Sequence, residues 1–303
     1  MNHGETRMVR IIEKRNLWLS ISIGMLIVGL GALGLWQLKL GIDFTGGSLL
    51  EVEYTHTHPS IDVLKKHLDV IHLTDGDVKT VGERGVIFRL KTIDEDTHQK
   101  LITELKKDDK KLAERIFESI GPVIGKELKT KSLLAIAVAL LMILVYIAYV
   151  FRKVSHPVAS WKYGIAAIIA LLHDILFVLG IFSVLGKFAH IEITSSFIPA
   201  FLTVLGFSVH DTIVVFDRIR ENLLKHKGSF QDIVNTSLNE TMARSINTSL
   251  TVFLVLLSLY FFGGETLKTF ALALLFGVGV GTYSSIFVAS PLLVKWHEWT
   301  LKK

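Results

Sequence analysis

Six long apolar runs, separated by short polar loops and one extended polar stretch, set the pattern of this chain of 303 residues. A helix that crosses the hydrocarbon core of a bilayer needs about 20 predominantly apolar residues. The runs lie at about 17–36, 132–151, 161–185, 196–217, 245–262 and 267–294. Half of the residues are hydrophobic and only 20% are charged, whereas soluble domains carry about a quarter charged residues. The pattern therefore predicts a polytopic α-helical membrane protein with six transmembrane helices.

The first run, 17–36, follows a basic stretch, as the apolar core of a signal peptide would. Such a core has only about 7–15 residues, and this run is longer. Trp18 and Trp36 stand at its two ends, where aromatic side chains anchor a helix at the membrane interfaces. We therefore expect an uncleaved first transmembrane helix.

The distribution of Lys and Arg predicts the orientation, because cytoplasmic loops carry an excess of both. One set of loops holds Arg7, Arg10, Lys14, Arg15, Arg152, Lys153, Lys162, Arg218, Arg220, Lys225, Lys227, Lys295, Lys302 and Lys303. The opposite short loops hold Lys187 and Lys268. Both termini, 1–16 and 295–303, are therefore expected in the cytoplasm. The net charge of +5 reflects this topology, and no nucleic-acid partner is expected because a basic stripe with interleaved aromatic residues is absent.

The polar stretch 37–131 is predicted to form an extracytoplasmic α+β domain, followed by a five-helix bundle at 132–294. Strands are predicted at 48–54, 77–82, 85–91 and 123–128, and helices at 60–70 and 94–107, with a further polar helical piece to Ser119. This β-α-β-β-α-β order is ferredoxin-like. The chain has no cysteine, so it has neither a disulfide nor a thiolate metal site.

A glycine-rich segment links the first run to this domain. Gly41, Asp43, Phe44, Gly46 and Gly47 lie directly after the apolar run. Paired glycines favour a sharp turn, and this segment is predicted to be a tight connector.

Three ionisable residues lie within the apolar runs or at their edges: Asp174, Asp211 and Arg244. A charge at the centre of a transmembrane helix costs about 2.5–3.5 kcal/mol on insertion scales, and such residues usually face the bundle interior and pair. The three residues indicate an ion or proton pathway, with a buried structural ion pair as the alternative.

Polar residues at helical spacing accompany two of these charges. Ser208, Asp211 and Thr212 share one face of the fourth run, and Arg244, Asn247, Thr248 and Thr251 share one face of the fifth. We expect Asp211 to face Arg244. A guanidinium favours the charged carboxylate, so a movement that separates the pair would let Asp211 take up a proton, and re-pairing would release it.

His173 and His210 are candidate proton relays, since histidine titrates near neutrality; neutral histidines bonded between helices are the alternative. His173, Asp174, His210 and Asp211 lack the spacing of a metalloprotease helix. No metal, cofactor or enzymatic activity is therefore expected. Gly277 and Gly281 form a small-xxx-small pair that predicts close helix packing. The loop around Gly228 is predicted to form two short amphipathic helices, the second capped by Ser229 with Asp232 three residues on.

Several of these motifs resemble the SecF family of the bacterial Sec protein-export machinery, within the RND superfamily. The matching segments are Gly41 to Gly47, His173-Asp174, SVHDTIVVFDRIR from Ser208 to Arg220 and RSINTSL from Arg244 to Leu250. The resemblance covers nearly the whole chain and places the family's membrane acid on Asp211 and its companion arginine on Arg244. The family more often shows Asn where this chain has His210.

The resemblance implies an inner-membrane subunit that couples a proton or sodium gradient to late steps of protein export. The implied partners are SecD, the SecYEG channel and its ATPase, the unfolded translocating polypeptide and membrane lipid. An RND-like exporter half for lipids or small molecules, and a non-transporting membrane scaffold, are the alternatives.

Overall fold

The computed structural model describes residues 9–153, 158–225 and 227–302, with the backbone only for 153, 265 and 266. Arg7, Lys303 and the side chain of Lys153, which entered the orientation argument, lie outside this description. The chain forms two compact units, Leu40–Leu134 and the remainder, and each is described by itself.

The helices in chain order are α1 (Arg15–Trp36), α2 (Ile42–Thr45), α3 (Ile61–Val70), α4 (Glu95–Leu105), α5 (Pro122–Val150), α6 (Ser160–Phe188), α7 (Phe197–Lys225), α8 (Phe230–Phe262), α9 (Glu265–Ser284) and α10 (Ser290–Leu301). A 3₁₀ turn, Ile12–Lys14, precedes α1, another, Phe151–Lys153, follows α5, and a π-helical turn, Ser285–Ala289, joins α9 to α10. Six helical stretches of the described residues are long and apolar enough to cross a membrane, which confirms the predicted number. The orientation stays a prediction.

The small unit has a four-stranded antiparallel sheet in the order β2-β3-β1-β4. Its strands are β1 (Gly47–Glu53), β2 (Asp77–Val81), β3 (Gly85–Leu90) and β4 (Ala113–Ile120). Alternate residues of the central strands point to one face, where Leu50, Val52, Val86 and Phe88 are buried with leucines of α3 and α4. This arrangement confirms the predicted α+β domain with β-α-β-β-α-β order.

The position predicted for the last strand was wrong. The strand is Ala113–Ile120, where a helical piece was expected, and the predicted strand 123–128 is the beginning of α5. Pro122 takes the first position of that helix, which suits proline because the amide that it lacks has no partner there. β4 lies at the sheet edge, and its Glu114, Arg115 and Glu118 are exposed. Edge strands often carry such charges, and here they obscured the strand pattern.

The glycine-rich connector is a tight turn, as predicted. Gly46 and Gly47 follow the short helix α2 with φ of 75° and 130°. Residues with a Cβ rarely adopt such positive φ angles. A Cβ on Gly46 would lie 2.8 Å from Cα of Pro122, and one on Gly47 would lie 2.8 Å from the carbonyl oxygen of Leu90. Both glycines therefore serve the turn and the close approach of neighbouring backbone.

In the large unit, α9 is surrounded by α6, α7 and α8. A Cβ on Gly277 would overlap Val204 of α7, and one on Gly281 would lie 3.0 Å from Cβ of Ser208. These contacts confirm the predicted packing role of the small-xxx-small pair. Small residues bring the backbone of α9 close to the polar face of α7.

The predicted pair of loop helices around Gly228 is instead the end of α7 and the beginning of α8, which extend beyond the apolar runs. Ser229 caps α8 as predicted, because its hydroxyl accepts the backbone N–H of Asp232 at 3.2 Å and lies 2.5 Å from that carboxylate. Arginine, glutamate, leucine and lysine at the end of α7 are good helix formers, so the helix continues beyond the apolar run.

Candidate functional site

Asp174 is a fully buried carboxylate at the centre of the bundle. Its Oδ2 accepts hydrogen bonds from Ser208 of α7 at 2.5 Å and Ser284 of α9 at 2.7 Å, while its Oδ1 lies 3.0 Å from Nδ1 of His173. Bonds to ionised acceptors are the short and strong ones. Three helices therefore meet at this one side chain.

Asp211 is the second buried carboxylate, 8% exposed on α7. Its Oδ1 accepts a hydrogen bond from the hydroxyl of Ser245 on α8 at 2.6 Å. Its Oδ2 is buried and has no hydrogen-bond partner within the described residues. Buried polar atoms are nearly always paired, so this oxygen is an open acceptor, with the hydroxyl of Ser285 near the same carboxyl group.

A short series of hydroxyls lies between the two carboxylates. Thr212, the residue after Asp211, donates to the carbonyl oxygen of Ser208 at 3.1 Å, and its Oγ1 lies 2.9 Å from Oγ of Ser285. Ser208 in turn donates to Asp174. The two acidic sites therefore belong to one polar network within the bundle.

Sequence reasoning missed the part of this network that the end of α9 and the start of the π turn contribute. Thr282, Tyr283, Ser284 and Ser285 are consecutive, and each contacts a different helix, because side chains advance by about 100° per residue. The contacts are Thr282 with Ser249 of α8, Tyr283 with Ser22 of α1, Ser284 with Asp174 of α6 and Ser285 with Thr212 of α7. The only signal in the sequence was four adjacent polar residues inside an apolar run.

The π turn starts at the last of these residues. A π-helix bonds from i to i+5, and such turns occur frequently at functional sites. The hydroxyl of Ser290 donates to the carbonyl oxygen of Ser285 at 3.1 Å. This bond gives the carbonyl group a partner in the irregular turn. Ser284, Ser285 and Ser290 are all fully buried.

Known proteins resemble both the sequence and the fold of this chain. A family model described as the C-terminal part of the protein export membrane proteins SecD and SecF matches residues 100–299, and the SecD/SecF GG motif matches residues 37–57. The protein translocase subunit SecF of Thermobaculum terrenum is 48% identical over 304 residues, with 96% of this chain and 95% of the relative covered. The chain belongs to the SecF family. The SecF of Anaerolinea thermophila is 42% identical, with 96% of each chain covered.

A solved relative of the family has the same architecture. The crystal structure of SecDF, a translocon-associated membrane protein from Thermus thermophilus, matches 98% of this chain with a TM-score of 0.84 and 31% identity. A SecDF structure in a super-membrane-facing form matches 97% with a TM-score of 0.69. This chain spans 40% and 39% of those chains.

The ion pair expected within this SecF-family chain is not formed in the structure. Arg244 is exposed on α8 and makes no hydrogen bond or ion pair with the described residues. Ser245, the next residue, takes the position opposite Asp211 instead. Adjacent helical residues point about 100° apart, so when Ser245 faces α7, Arg244 cannot. The proton-coupling roles of both residues stay predictions.

The two histidines differ in their surroundings. His173 is buried, its Nδ1 adjoins Asp174, and its Nε2 has no partner within the described residues. His210 is exposed on α7 beside Asp211 in sequence. The structure thus brings His173 and Asp174 together and leaves His210 on the outer face. The described residues contain no group of three or more His, Asp or Glu that could hold a metal ion.

Proposed function

We propose that the chain is the SecF subunit of a Sec protein-export complex and that Asp211 is the group that binds and releases the coupling ion. The observation that carries this proposal is the buried Oδ2 of Asp211, which has no hydrogen-bond partner within the described residues. An ionisable residue inside a membrane span is costly and is typical of ion pathways. An open carboxylate oxygen beside a hydroxyl can accept a proton or a sodium ion.

SecD is the proposed partner, and the outer face of α8 supports this. Arg244, Asn247, Thr248 and Thr251 are exposed there, although α8 is a membrane-spanning helix. Polar and charged side chains that face lipid are unfavourable, so we expect protein to cover this stripe. The related SecDF chain is more than twice as long as this chain, and we expect a SecD partner to correspond to the part that this chain does not match.

In the proposed ion exchange, Ser245 and Arg244, which are neighbours on α8, alternate as the partner of Asp211. In this structure Ser245 contacts Asp211, and the carboxylate is available to a proton. A rotation or slide of α8 that brings the long side chain of Arg244 to Asp211 favours the charged carboxylate and releases the proton. His173, Asp174 and His210 are proposed as accessory groups of the same pathway. The movement is transmitted to the small domain, which we place on the extracytoplasmic side with the emerging unfolded polypeptide.

The remaining partners follow from family membership. We propose that the complex works beside the SecYEG channel and its ATPase in the inner membrane, where an ion gradient is available. A unit charge that crosses about 100 mV gains about 2.3 kcal/mol, which is sufficient to bias the movement of a domain. The coupling ion is a proton or sodium, and the gradient that is found to support export identifies which of the two it is.

The test is export into membrane vesicles that contain this chain, SecD, SecYEG and the ATPase, with and without an imposed ion gradient. We expect Asp211→Asn and Arg244→Ala to assemble but to lose the gradient-dependent part of export. Asp217→Asn is the matched control, because Asp217 is on the same helix, has a side chain 63% exposed and pairs with Arg220. Full gradient-dependent export by Asp211→Asn would favour the scaffold and overturn the proposal.

A further inference from the structure

Ser284, the last residue of α9, and Ser285, the first residue of the π turn, contact the two acidic sites separately. Ser284 donates to Asp174 at 2.7 Å, and Ser285 lies 2.9 Å from Thr212, the neighbour of Asp211. We infer that Ser284 and Ser285 are positioning residues that make the protonation of Asp174 depend on the protonation of Asp211. This inference rests on the proposed function, and it assigns to the π turn a role that small-residue packing does not explain.

The first step is at Asp174. A serine hydroxyl has one hydrogen to donate, and Ser284 has a second acceptor within reach, the carbonyl oxygen of Gly281 at 3.2 Å. Oδ2 of Asp174 already accepts from both Ser208 and Ser284. A proton that binds to Oδ2 must displace one of these donors, and Ser284 can turn to Gly281.

The second step is at Ser285. Its hydroxyl also reaches the carbonyl oxygen of Gly281, at 2.9 Å, and the backbone N–H of Ser285 donates to the same oxygen. A carbonyl oxygen has two lone pairs. When Ser284 turns to Gly281, the hydroxyl of Ser285 is expected to leave this crowded acceptor and donate to Thr212.

The third step leads to Asp211. Thr212 donates to the carbonyl oxygen of Ser208 and can accept from Ser285, and the hydroxyl of Ser285 also lies near the carboxyl group of Asp211. A change in the donor direction of Ser285 changes the field at Asp211, because hydrogen bonds in a low-dielectric interior influence one another. The route from Asp174 to Asp211 therefore needs only hydroxyl rotations.

Other titratable and charged groups surround these carboxylates. His173 adjoins Asp174, and Tyr283, whose ring centroid is 6.2 Å from that of His173, faces it from α9. His210 lies beside Asp211 in sequence, and Arg244 is the charged residue of α8 next to the Ser245 contact. Within the described residues none of these groups contacts both acidic sites, whereas Ser284 donates to Asp174 and its neighbour Ser285 lies near Asp211.

The first measurement is infrared titration of carboxyl groups in the complex with SecD, with bands assigned through Asp174→Asn and Asp211→Asn. Interacting sites titrate as a pair, so we expect the midpoint of the Asp174 band to move by about half a pH unit or more in Asp211→Asn. An unchanged Asp174 midpoint, within about 0.1 unit, would overturn the inference. This measurement needs no substitution of a serine.

The second measurement replaces each serine by cysteine, which has a similar shape but is a weak donor. We expect Ser284→Cys and Ser285→Cys to remove the dependence of the Asp174 midpoint on position 211 and to alter the pH profile of gradient-dependent export. Ser183→Cys is the matched control, because Ser183 is equally buried and its hydroxyl can donate to the backbone oxygen of Ala32 or of Gln37. A packing role predicts that all three cysteine variants behave alike.

The outcomes separate the two proposals. If Asp211→Asn keeps gradient-dependent export, the proposed function fails. If Asp211→Asn loses it while both cysteine variants keep the wild-type pH profile and midpoints, only the inference about Ser284 and Ser285 fails. If a cysteine variant does not accumulate, the infrared comparison of wild type with Asp211→Asn decides the inference.

Discussion

The hydroxyl of Ser245 lies 2.6 Å from Oδ1 of Asp211 and donates a hydrogen bond to this carboxylate. The arginine that precedes Ser245 is directed to the outer face of the bundle. Residues 244 and 245 thus present two different groups to two neighbours, α7 within the chain and the surface proposed to contact SecD. Asp211 therefore accepts a hydrogen bond from the neutral side chain of Ser245, while the guanidinium of Arg244 lies at the surface proposed to contact SecD.

We expect Ser245→Ala to reduce the gradient-dependent part of export more strongly than it reduces the amount of assembled protein. Loss of a hydrogen bond to a charged group costs about 1.5–3 kcal/mol, which is roughly a tenfold to hundredfold change in an equilibrium. Export into vesicles at several pH values measures the effect. Ser258→Ala is the control, because Ser258 lies on the same helix, is exposed and donates to the carbonyl oxygen of Leu254 in its own helix. Equal behaviour of the two variants would remove Ser245 from the mechanism.

The sequence was sufficient to locate the acids but not their partners. Asp174 and Asp211 interrupt apolar runs. Because a lipid-exposed carboxylate is so unfavourable, the sequence predicts that both side chains are buried. The choice between Arg244 and Ser245 as the neighbour of Asp211 depends on a rotation of α8 of about 100°. Helical periodicity cannot fix that rotation when polar residues occur at adjacent positions.

Packing of α9 on α7 supports the second prediction. A Cβ on Gly277 would overlap the side chain of Val204, and overpacking a close helix contact costs about 1–3 kcal/mol. We expect Gly277→Ala to lower the temperature at which the detergent-solubilised protein loses its fold. Gly279→Ala is the control on the same helix, because its Cβ would make only an ordinary contact, 3.8 Å from Phe253. A midpoint for Gly277→Ala equal to that of the control would contradict this packing.

The run Thr282 to Ser285 shows a different limit of sequence reasoning. A helix that buries one stripe has a clear periodicity, but α9 is surrounded by other helices, and the four polar residues at its end and at the start of the π turn point in four directions. Their sequence has no amphipathic pattern to detect. In the small domain the strand was missed for a different reason. The charged edge strand β4 has a weaker strand pattern than the apolar start of α5, so the last strand was predicted in the wrong segment.

The third prediction concerns the segment before α1, which two asparagines of α8 hold. Oδ1 of Asn235 accepts the backbone N–H of Ile11 at 2.9 Å, and Asn239 bonds both the N–H and the carbonyl oxygen of Val9. Loss of a side chain that caps a helix start costs about 0.5–2 kcal/mol. We expect Asn235→Ala and Asn239→Ala to accelerate amide hydrogen exchange around Ile12, measured by mass spectrometry. Asn16→Ala, an exposed position on α1, should leave this exchange unchanged, and equal acceleration in all three variants would argue against the contacts.

Acid sensitivity of the small domain is the last prediction, and it depends on Asp109. Its carboxylate accepts the backbone N–H of Thr55 at 2.6 Å and that of Lys111 at 2.9 Å, and these bonds hold the pKa of Asp109 below its ordinary value. A carboxyl group whose pKa is lowered by folding stabilises the fold above its unfolded pKa, about 3.9. That contribution disappears as the pH falls through the lower, folded value. We expect Asp109→Asn to make pepsin cleavage near residues 106–113 less dependent on pH between about 2 and 4. Asp69→Asn, on the exposed side of α3, should retain the wild-type dependence, and an unaltered profile for Asp109→Asn would show that these two backbone bonds do not hold the loop.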